Sequence, residues 1–326
     1  MQKEIYFQRK NFMILICWFL SISINAQNFE WAKRVGGTGN DVATALSSDA
    51  IGNIYTTGYF NGTVDFDPGT GVFNLISGGG ADIFICKYQA NGDLVWAKRI
   101  GSTLSELGYS ISLDLAGNVY FTGSFNGTVD FDPGAGIFNL TSAGGDNIFV
   151  CKLDASGNFV WAKRFGATIG LSINVDLAGM VYTTGYFSGT TDFDPGAGVF
   201  NMTSAGTNDI FVSKLDASGN FIWVKRFGGS GNDIAYSVNT DAFGNVFTTG
   251  FFQGTADFDP GTGVFNMTSA GTNDIFICKL DASGNLSWVK RIGGISSDVG
   301  NSICTDASGN VYITGSFQET CDFDPG

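Results

Sequence analysis

The sequence contains no histidine, only 5 prolines and few charged residues (14%) in a chain of 326 residues. Histidine is the commonest general base and a common metal ligand, so its absence removes the side chain on which much acid–base and metal chemistry depends. The chain also lacks a G-x-S-x-G motif, a P-loop and a complete G-x-G-x-x-G motif, which mark acyl-transfer, phosphate and dinucleotide sites. These absences predict a protein that is not an enzyme.

Basic residues are scarce, with 17 Lys and Arg against 30 Asp and Glu and a net charge of −13. Nucleic-acid binding needs a basic patch, so this composition argues against it. Beyond Gln27 every basic residue falls at one of three repeated positions, namely the Lys and Arg of a W-x-K-R segment and the Lys of an I-F-[IV]-x-K segment. An acidic chain of this kind is compatible with cations or a cationic partner.

Long apolar runs are absent except near the amino terminus, from Phe12 to about Ile24, after a basic start. This pattern predicts a secretory signal peptide over residues 1–26, with an uncleaved anchor as the alternative. The run is shorter than the ~20 residues of a comfortable membrane span. We therefore expect a protein that is secreted or held at the outer cell surface, with no membrane span after signal cleavage.

Cysteine usage does not suggest a disulfide framework or a metal site. Cys86, Cys151 and Cys278 occupy one repeated position, where the remaining copy has Ser213, and the number of cysteines after the signal segment is odd. No metal-binding spacing is present, which favours buried free thiols.

What the sequence does contain is a long internal repeat. Five W-x-K-R segments begin 65, 65, 62 and 65 residues apart, and five DFDPG segments keep the same period. A fixed long period means that one supersecondary unit is copied and stacked. The units begin near Trp31, Trp96, Trp161, Trp223 and Trp288 and fill residues 27–326.

The pattern of one repeat predicts four short strands. In the second copy Glu106–Leu113 alternates between apolar and small residues, and Val119–Phe125, Ile148–Leu153 and Phe159–Phe165 follow as further strands. Tight turns of the type D-x-x-G-N and D-A-S-G-N separate them. Glycines within the second strand suggest a bulge or a close approach by a neighbouring sheet.

Four antiparallel strands per unit, repeated, predict an all-β protein with the β-propeller fold. The strand with a small face is expected innermost, the Lys/Arg strand outermost, and Trp, Phe and Tyr between neighbouring blades. A parallel β-helix is the main competing architecture, but its coils are typically much shorter.

The repeat count is about four and a half units of ~65 residues. The chain opens on an expected fourth strand, Phe29–Val35, and its last copy stops at Gly326 directly after DFDPG. This predicts an incomplete ring, from a truncated sequence or a domain that continues downstream.

The combination of three motifs resembles the SBBP (seven-bladed β-propeller repeat) family of secreted bacterial proteins. The residues that carry the resemblance are W-x-K-R-x-G-G, D-x-x-G-N-[VI]-[YF]-x-T-G and D-I-F-[IV]-x-K-L-D-x-S-G-N, as in Trp223–Gly229, Asp306–Gly315 and Asp274–Asn285. The resemblance covers essentially residues 29–326. It implies an exported propeller, often part of a larger polypeptide, and it supplies no catalytic residues.

The best candidate site is the DFDPG segment, where two Asp residues two apart point to the same side of an extended chain. Clustered carboxylates with loop carbonyl oxygens can bind calcium, which would be the cofactor if one is bound. The alternative, which we favour, is that these Asp residues cap turns and pair with nearby Lys and Arg. The candidate calcium ligands are Asp65, Asp67, Asp130, Asp132, Asp192, Asp194, Asp257, Asp259, Asp322 and Asp324.

Three hypotheses for function remain open. The first is a non-catalytic scaffold that binds a surface protein or a glycan. The second is a multivalent, lectin-like propeller that binds carbohydrate through its Asp- and aromatic-rich loops. The third is a propeller enzyme such as a glycosidase or lyase, which would need one asymmetric carboxylate cluster, whereas the carboxylates here recur in every unit.

Overall fold

A computed structural model describes residues 30–166 and 168–324. The predicted signal peptide, residues 1–26, lies outside them. The chain divides into a unit Met1–Ala32, in which only residues 30–32 are described, and a unit Lys33–Gly326. Every regular element in the described part of this unit is a β-strand, so the all-β prediction is confirmed. The described residues contain no helix of the length and apolarity that a membrane crossing requires.

Four units each form a four-stranded antiparallel sheet, or blade, with a short two-stranded hairpin between the second and third strands. The first blade contains β1 (Val42–Ser48), β2 (Ile54–Phe60), β3 (Thr63–Asp65), β4 (Asn74–Ile76), β5 (Asp82–Tyr88) and β6 (Leu94–Ile100). The second contains β7 (Leu107–Leu113), β8 (Val119–Phe125), β9 (Thr128–Asp130), β10 (Asn139–Thr141), β11 (Asn147–Leu153) and β12 (Phe159–Arg164).

The later blades repeat this order. The third contains β13 (Thr168–Val175), β14 (Val181–Phe187), β15 (Thr190–Asp192), β16 (Asn201–Thr203), β17 (Asp209–Leu215) and β18 (Phe221–Gly229). The fourth contains β19 (Ile234–Thr240), β20 (Val246–Phe252), β21 (Thr255–Asp257), β22 (Asn266–Thr268), β23 (Asp274–Leu280) and β24 (Leu286–Gly294). A fifth blade begins with β25 (Val299–Thr305), β26 (Val311–Ser316) and β27 (Cys321–Asp322).

The four strands predicted for the second copy are present, with bounds that differ by at most one residue. The strand expected at Phe29–Val35 is not found in its described part, because residues 30–41 have no regular structure.

The small-faced strands lie innermost, as predicted, and pack against one another from blade to blade in the order β1, β7, β13, β19, β25. Serine side chains on this face accept hydrogen bonds from the backbone of the next blade. Ser110 Oγ accepts from the Ile173 N–H, Ser172 Oγ from Val238 and Ser237 Oγ from Ile303, each at 3.2 Å. Only small side chains permit backbones to approach this closely, which explains the uniform small face.

Each inner strand carries a β-bulge opposite the glycine of the second strand. In the second blade the register shifts between Gly108 and Ser110, where Gly108 faces Gly123. A Cβ on Gly123 would overlap the carbonyl oxygen of Leu107, so this strand position accepts only glycine. The bulge expected from the repeated glycine is confirmed.

Aromatic side chains fill the space between neighbouring blades. Trp96 on the outer strand of the first blade donates from Nε1 to the Ala155 carbonyl oxygen of the second blade, at 3.4 Å. Gly157 has φ +78° in the same turn, and a Cβ on it would lie 3.1 Å from the Trp96 ring. Tyr55 meets Trp96 edge-on, with ring centroids 6.2 Å apart. The outer strand of one blade thus packs on a tight turn of the next.

The predicted count of about four and a half units is confirmed, since four complete blades are followed by the start of a fifth. The two ends of this arc do not bury each other. Leu46 on β1 is 73% exposed, whereas its equivalent Ile111 on β7 is 6% exposed because the first blade covers it. Tyr312 on β26 is also exposed. The structure is therefore an open propeller, in agreement with the expected incomplete ring.

Candidate interaction site on the hairpin face

The meander places its loops at two opposite ends of the propeller. The turns between first and second strands and between third and fourth strands lie together at one end, which we call the turn face. In the second blade, Gly117 lies in the turn between the first and second strands and Ala155 in the turn between the third and fourth. A Cβ on Gly117 would lie 3.5 Å from the Cβ of Ala155. The DFDPG hairpins and the links between blades lie at the other end, which we call the hairpin face.

The phenylalanine of DFDPG anchors each hairpin in the core. Phe66 is fully buried, meets Phe60 edge-on at 5.3 Å and lies 5.2 Å from Phe84. Such aromatic pairs stabilise beyond the area they bury, by about 1 kcal/mol each. The equivalent buried residues of the other complete blades are Phe131, Phe193 and Phe258.

The first Asp of DFDPG closes the hairpin loop. Asp65 Oδ1 accepts hydrogen bonds from the backbone N–H of Asp67 at 3.0 Å and of Phe73 at 2.8 Å. Charge-assisted bonds to backbone N–H groups are stronger than neutral ones, so this carboxylate fixes both ends of the loop. The same pair of bonds is made by Asp130, Asp192 and Asp257.

The second Asp holds the tip of the same loop. Asp67 Oδ1 accepts from the Gly69 N–H at 2.8 Å. A Cβ on Gly71 would overlap Asp67 Oδ2, which explains why the segment continues as P-G-x-G. The equivalent bonds of the other complete blades come from Asp132, Asp194 and Asp259.

These hydrogen bonds show the Asp residues capping the loop, whereas the calcium site stays a prediction. Within residues 30–166 and 168–324, no group of three or more Cys, Asp or Glu side chains could hold a metal ion. Three W-x-K-R arginines pair with other acids. Arg226 Nη1 lies 2.6 Å from Asp209 Oδ2, and Arg99 and Arg291 make the equivalent pairs with Asp82 and Asp274.

Beyond this fixed base, the loop tip exposes apolar side chains. The aliphatic residue of G-[VI]-F is 71–78% exposed in all four copies, and the Phe after it is 38–46% exposed. The aliphatic residues are Val72, Ile137, Val199 and Val264, and the aromatic ones are Phe73, Phe138, Phe200 and Phe265. No motif in the sequence pointed to these residues. Their repetition could have identified them from the sequence, because they recur inside a loop, where an apolar residue is not needed for the fold.

The hairpin is held against the preceding blade. Gly228, just after the W-x-K-R segment at the end of β18, pairs with Asp257 of β21 in the next blade, and Gly229 pairs with Ala256. A Cβ on Gly229 would overlap the Thr255 carbonyl oxygen. Together with the buried Phe, this contact holds the hairpin of the fourth blade in place. In the third blade the Asp192 carbonyl oxygen likewise accepts a hydrogen bond from the Gly166 N–H of the preceding blade, at 3.1 Å.

Buried acids also lie at the junctions between blades on this face. Asp233 is fully buried and accepts from the backbone N–H groups of Gly229 at 2.8 Å and Gln253 at 2.9 Å. Burial raises the pKa of Asp233 to about 6, and the negative charge of Asp209 adds to this. Burial likewise raises the pKa of Asp82 and of Glu106 at the first junction. The sequence pattern did not single out these acids.

A groove of about 430 Å³ on the turn face is lined by three equivalent carboxylates, Asp49, Asp114 and Asp176. Each Oδ1 accepts two backbone N–H groups of its own turn, as in the bonds from Ala116 at 3.0 Å and Asn118 at 2.9 Å to Asp114. These acids therefore repeat one structural role. They do not form the asymmetric cluster that a carboxylate-based enzyme would need.

Comparison with known proteins agrees with the geometry. Residues 287–316 match the family described as SBBP, beta-propeller repeat, which confirms the predicted resemblance in the fourth and fifth units. The described residues have the β-propeller fold, and within them residues 287–316 match the SBBP repeat.

Similar proteins include an uncharacterized WD repeat-containing protein of Acanthamoeba polyphaga mimivirus, 24% identical over 89% of this chain and 26% of that protein. The regulatory protein FlaEY of Caulobacter vibrioides is 28% identical over 34% of this chain and 12% of its own length. The chain thus matches about a quarter or less of each relative's length. Among solved structures, the WD40 domain of Neurospora crassa Pan2 aligns with a TM-score of 0.34 at 10% identity, over 85% of this chain and 90% of that one.

Proposed function

We propose that the protein is a non-catalytic β-propeller scaffold that binds a protein partner through the apolar tips of its hairpin face. The observation that carries this proposal is that Val72, Ile137, Val199 and Val264 are all more than two-thirds exposed on loops whose bases are fixed. Exposed aliphatic residues repeated at the tips of these loops serve no packing role within the chain.

Binding energy would come from burying these tips. Full burial of one Val or Ile side chain contributes about 1.5–3 kcal/mol. Because the hairpin bases are pre-organised, little conformational entropy is lost on binding. Several tips engaged by one partner would raise the overall affinity above that of a single contact.

The absence of catalysis is part of the proposal. The carboxylates of the hairpins and turns recur in each unit in the same hydrogen-bonding role, whereas an active site usually gathers different residues in one pocket. The sequence contains no histidine. Secretion or display at the cell surface also belongs to the proposal and is supported by the character of residues 1–26.

Selection of a displayed peptide library on the folded protein tests this function. We expect enriched peptides to lose binding by about tenfold or more, at least 1.4 kcal/mol, when the four hairpin tips are changed together. The hairpin-tip variant combines Val72→Ser, Ile137→Ser, Val199→Ser and Val264→Ser.

A matched control changes the exposed apolar residues of the turn face, which are 64–84% exposed. The control variant combines Ile51→Ser, Leu115→Ser, Leu177→Ser and Phe243→Ser. Peptides that bind through the hairpin face keep their affinity for this control. No enrichment, or equal loss on both variants, contradicts the proposed function.

The lectin alternative from the sequence analysis uses the same loops but predicts binding to sugars. A glycan array with the folded protein separates the two hypotheses. If no glycan on the array binds, the result agrees with a protein partner. If a glycan binds the unmodified protein but not the hairpin-tip variant, carbohydrate binding is established instead.

A further inference from the structure

The charged side chains are divided unequally between the two faces. On the turn face, lysines and aspartates are equal in number, nine of each. The lysines are Lys33, Lys87, Lys98, Lys152, Lys163, Lys214, Lys225, Lys279 and Lys290, and the aspartates are Asp49, Asp93, Asp114, Asp154, Asp176, Asp216, Asp241, Asp281 and Asp306.

Several of these turn-face charges neutralise each other directly. Lys152 Nζ lies 3.9 Å from Asp114 Oδ2, and Lys279 Nζ lies 3.9 Å from Asp241 Oδ2. The lysines of the first three outer strands reach the turn of the following blade, as at Gly157, where a Cβ would lie 3.0 Å from Lys98 Cε. The turn face is therefore electrically balanced.

The hairpin face carries nineteen acids against five arginines, a net charge of −14, which is nearly all of the net charge beyond Gln27. The arginines are Arg34, Arg99, Arg164, Arg226 and Arg291. The acids are the ten DFDPG aspartates together with Asp41, Asp82, Glu106, Asp146, Asp209, Asp233, Asp274, Asp298 and Glu319.

The arginines do little to offset the charge around the hairpin tips. Arg99, Arg226 and Arg291 are engaged with the buried carboxylates of Asp82, Asp209 and Asp274. In the complete blades the DFDPG aspartates are partly exposed residues. The apolar tips are therefore surrounded by partly exposed negative charge.

From this segregation of charge we infer that the partner of the hairpin face is a cationic protein segment in which Lys or Arg alternates with aliphatic side chains. This inference rests on the proposed function and adds the chemistry of the partner. Opposite charge attracts the partner over distances of about 8–10 Å at physiological salt. Like charge brought against this face is repelled.

Three synthetic peptides of equal length provide the probes: one of Lys and Leu, one of Lys and Ser, and one of Glu and Leu. Fluorescence anisotropy measures their affinity for the folded protein. We expect the Lys–Leu peptide to bind about tenfold or more tighter than either of the others, because only it matches both the charge and the apolar tips. Its affinity should fall as salt rises to about 0.15 M.

Added lysines test which face is responsible without disturbing the loop hydrogen bonds. The position before the second glycine of P-G-x-G is exposed and already accepts Ala or Thr. We expect lysines there to weaken Lys–Leu binding by about tenfold and to reduce its salt dependence. The hairpin-face variant combines Ala135→Lys, Ala197→Lys and Thr262→Lys.

The matched control adds the same charge to exposed turn positions of the same three blades. This turn-face variant combines Ser156→Lys, Ser218→Lys and Ser283→Lys. Binding should stay within about twofold of the unmodified protein, since these positions lie at the far end of the blades. Melting curves verify that both variants are folded.

Equal weakening by both lysine variants, or tighter binding of the Glu–Leu peptide, overturns the inference. The library selection separates this failure from that of the proposed function. Neutral or acidic peptides that depend on the hairpin tips leave the function standing and refute the cationic partner, whereas the lack of any tip-dependent peptide refutes the function itself.

Discussion

The indole Nε1 of Trp161, on the outer strand of the second blade, donates a hydrogen bond to the carbonyl oxygen of Ala217 in the third blade at 3.2 Å. Lys152 Nζ donates to the same oxygen at 3.5 Å. The ring also covers Gly219, where a Cβ would lie 3.2 Å from Trp161. This contact links neighbouring blades at their periphery, while the small inner strands link them near the centre.

Replacement of this tryptophan should loosen the junction between the second and third blades. We expect Trp161→Ala to lower the free energy of unfolding by about 3 kcal/mol, because it removes a large packed side chain and leaves a cavity. Urea denaturation measures the change. Val160→Ala, at a 46% exposed position of the same strand, is the control and should change stability by less than about 0.5 kcal/mol. Equal effects of the two substitutions would show that the ring does not join the blades.

The DFDPG phenylalanine should matter more for stability than the exposed tip of the same hairpin. Phe193 is fully buried, with Phe187 5.2 Å and Phe211 5.1 Å away. We expect Phe193→Ala to cost about 4 kcal/mol, again measured by urea denaturation. Val199→Ala in the same loop should cost less than about 0.5 kcal/mol. A large cost at Val199 would mean that the tip supports the fold and would weaken its assignment to binding.

The buried acid at the junction of the third and fourth blades predicts a dependence of stability on pH. The folded pKa of Asp233 is raised by burial from 3.8 to about 6, so the folded state favours the protonated form. The contribution of Asp233 to the free energy of unfolding is complete below pH about 3.8 and is lost as pH rises through 6. The free energy of unfolding falls by about 3 kcal/mol over this range. Asp233→Asn should remove this loss, because a neutral amide does not ionise.

The measurement is the difference in unfolding free energy between the unmodified protein and Asp233→Asn across this pH range. The variant should gain relative stability as pH rises. Asp216→Asn provides the control, since Asp216 lies in an exposed turn and its folded pKa is lowered. A difference for Asp233→Asn that stays constant with pH would contradict the prediction.

Calcium should leave the melting temperature unchanged at millimolar concentration. The Oδ1 atoms of Asp65 and Asp67 already accept backbone hydrogen bonds at 2.8–3.0 Å, and calcium needs 6–8 oxygen ligands. The test compares the melting temperature measured by thermal unfolding with and without calcium. A rise in melting temperature that Asp67→Asn reduces would instead establish the DFDPG segment as a calcium site.

Much of the architecture could be predicted because the information is local and repeated. The alternation of Leu107, Tyr109 and Ile111 with small residues, and the D-A-S-G-N turn at Asp154, each specify a strand or turn without distant partners. Five near-copies of one pattern then exclude most other all-β arrangements.

The site could be predicted only in part. DFDPG is the distinctive loop of the repeat, and its carboxylates accept backbone hydrogen bonds, in line with the favoured prediction that they cap turns. The exposed residue Val72, five positions after Asp67, lies outside the motif and was not predicted. From sequence alone, apolar residues are assigned to the hydrophobic core by default. Only the position of the loop relative to the rest of the blade shows which of them remain in solvent.

By itself, the sequence determined the four main strands of a blade, their order and the number of units, because periodicity and turn chemistry act between near neighbours along the chain. The tertiary structure decided which charges meet. Arg226 binds Asp209, 17 residues earlier and on the adjacent strand, and Leu46 stays exposed where Ile111 is covered. The segregation of negative charge to one face follows from the antiparallel meander, which sends alternate loops to opposite ends, and it exists only once the blades are assembled.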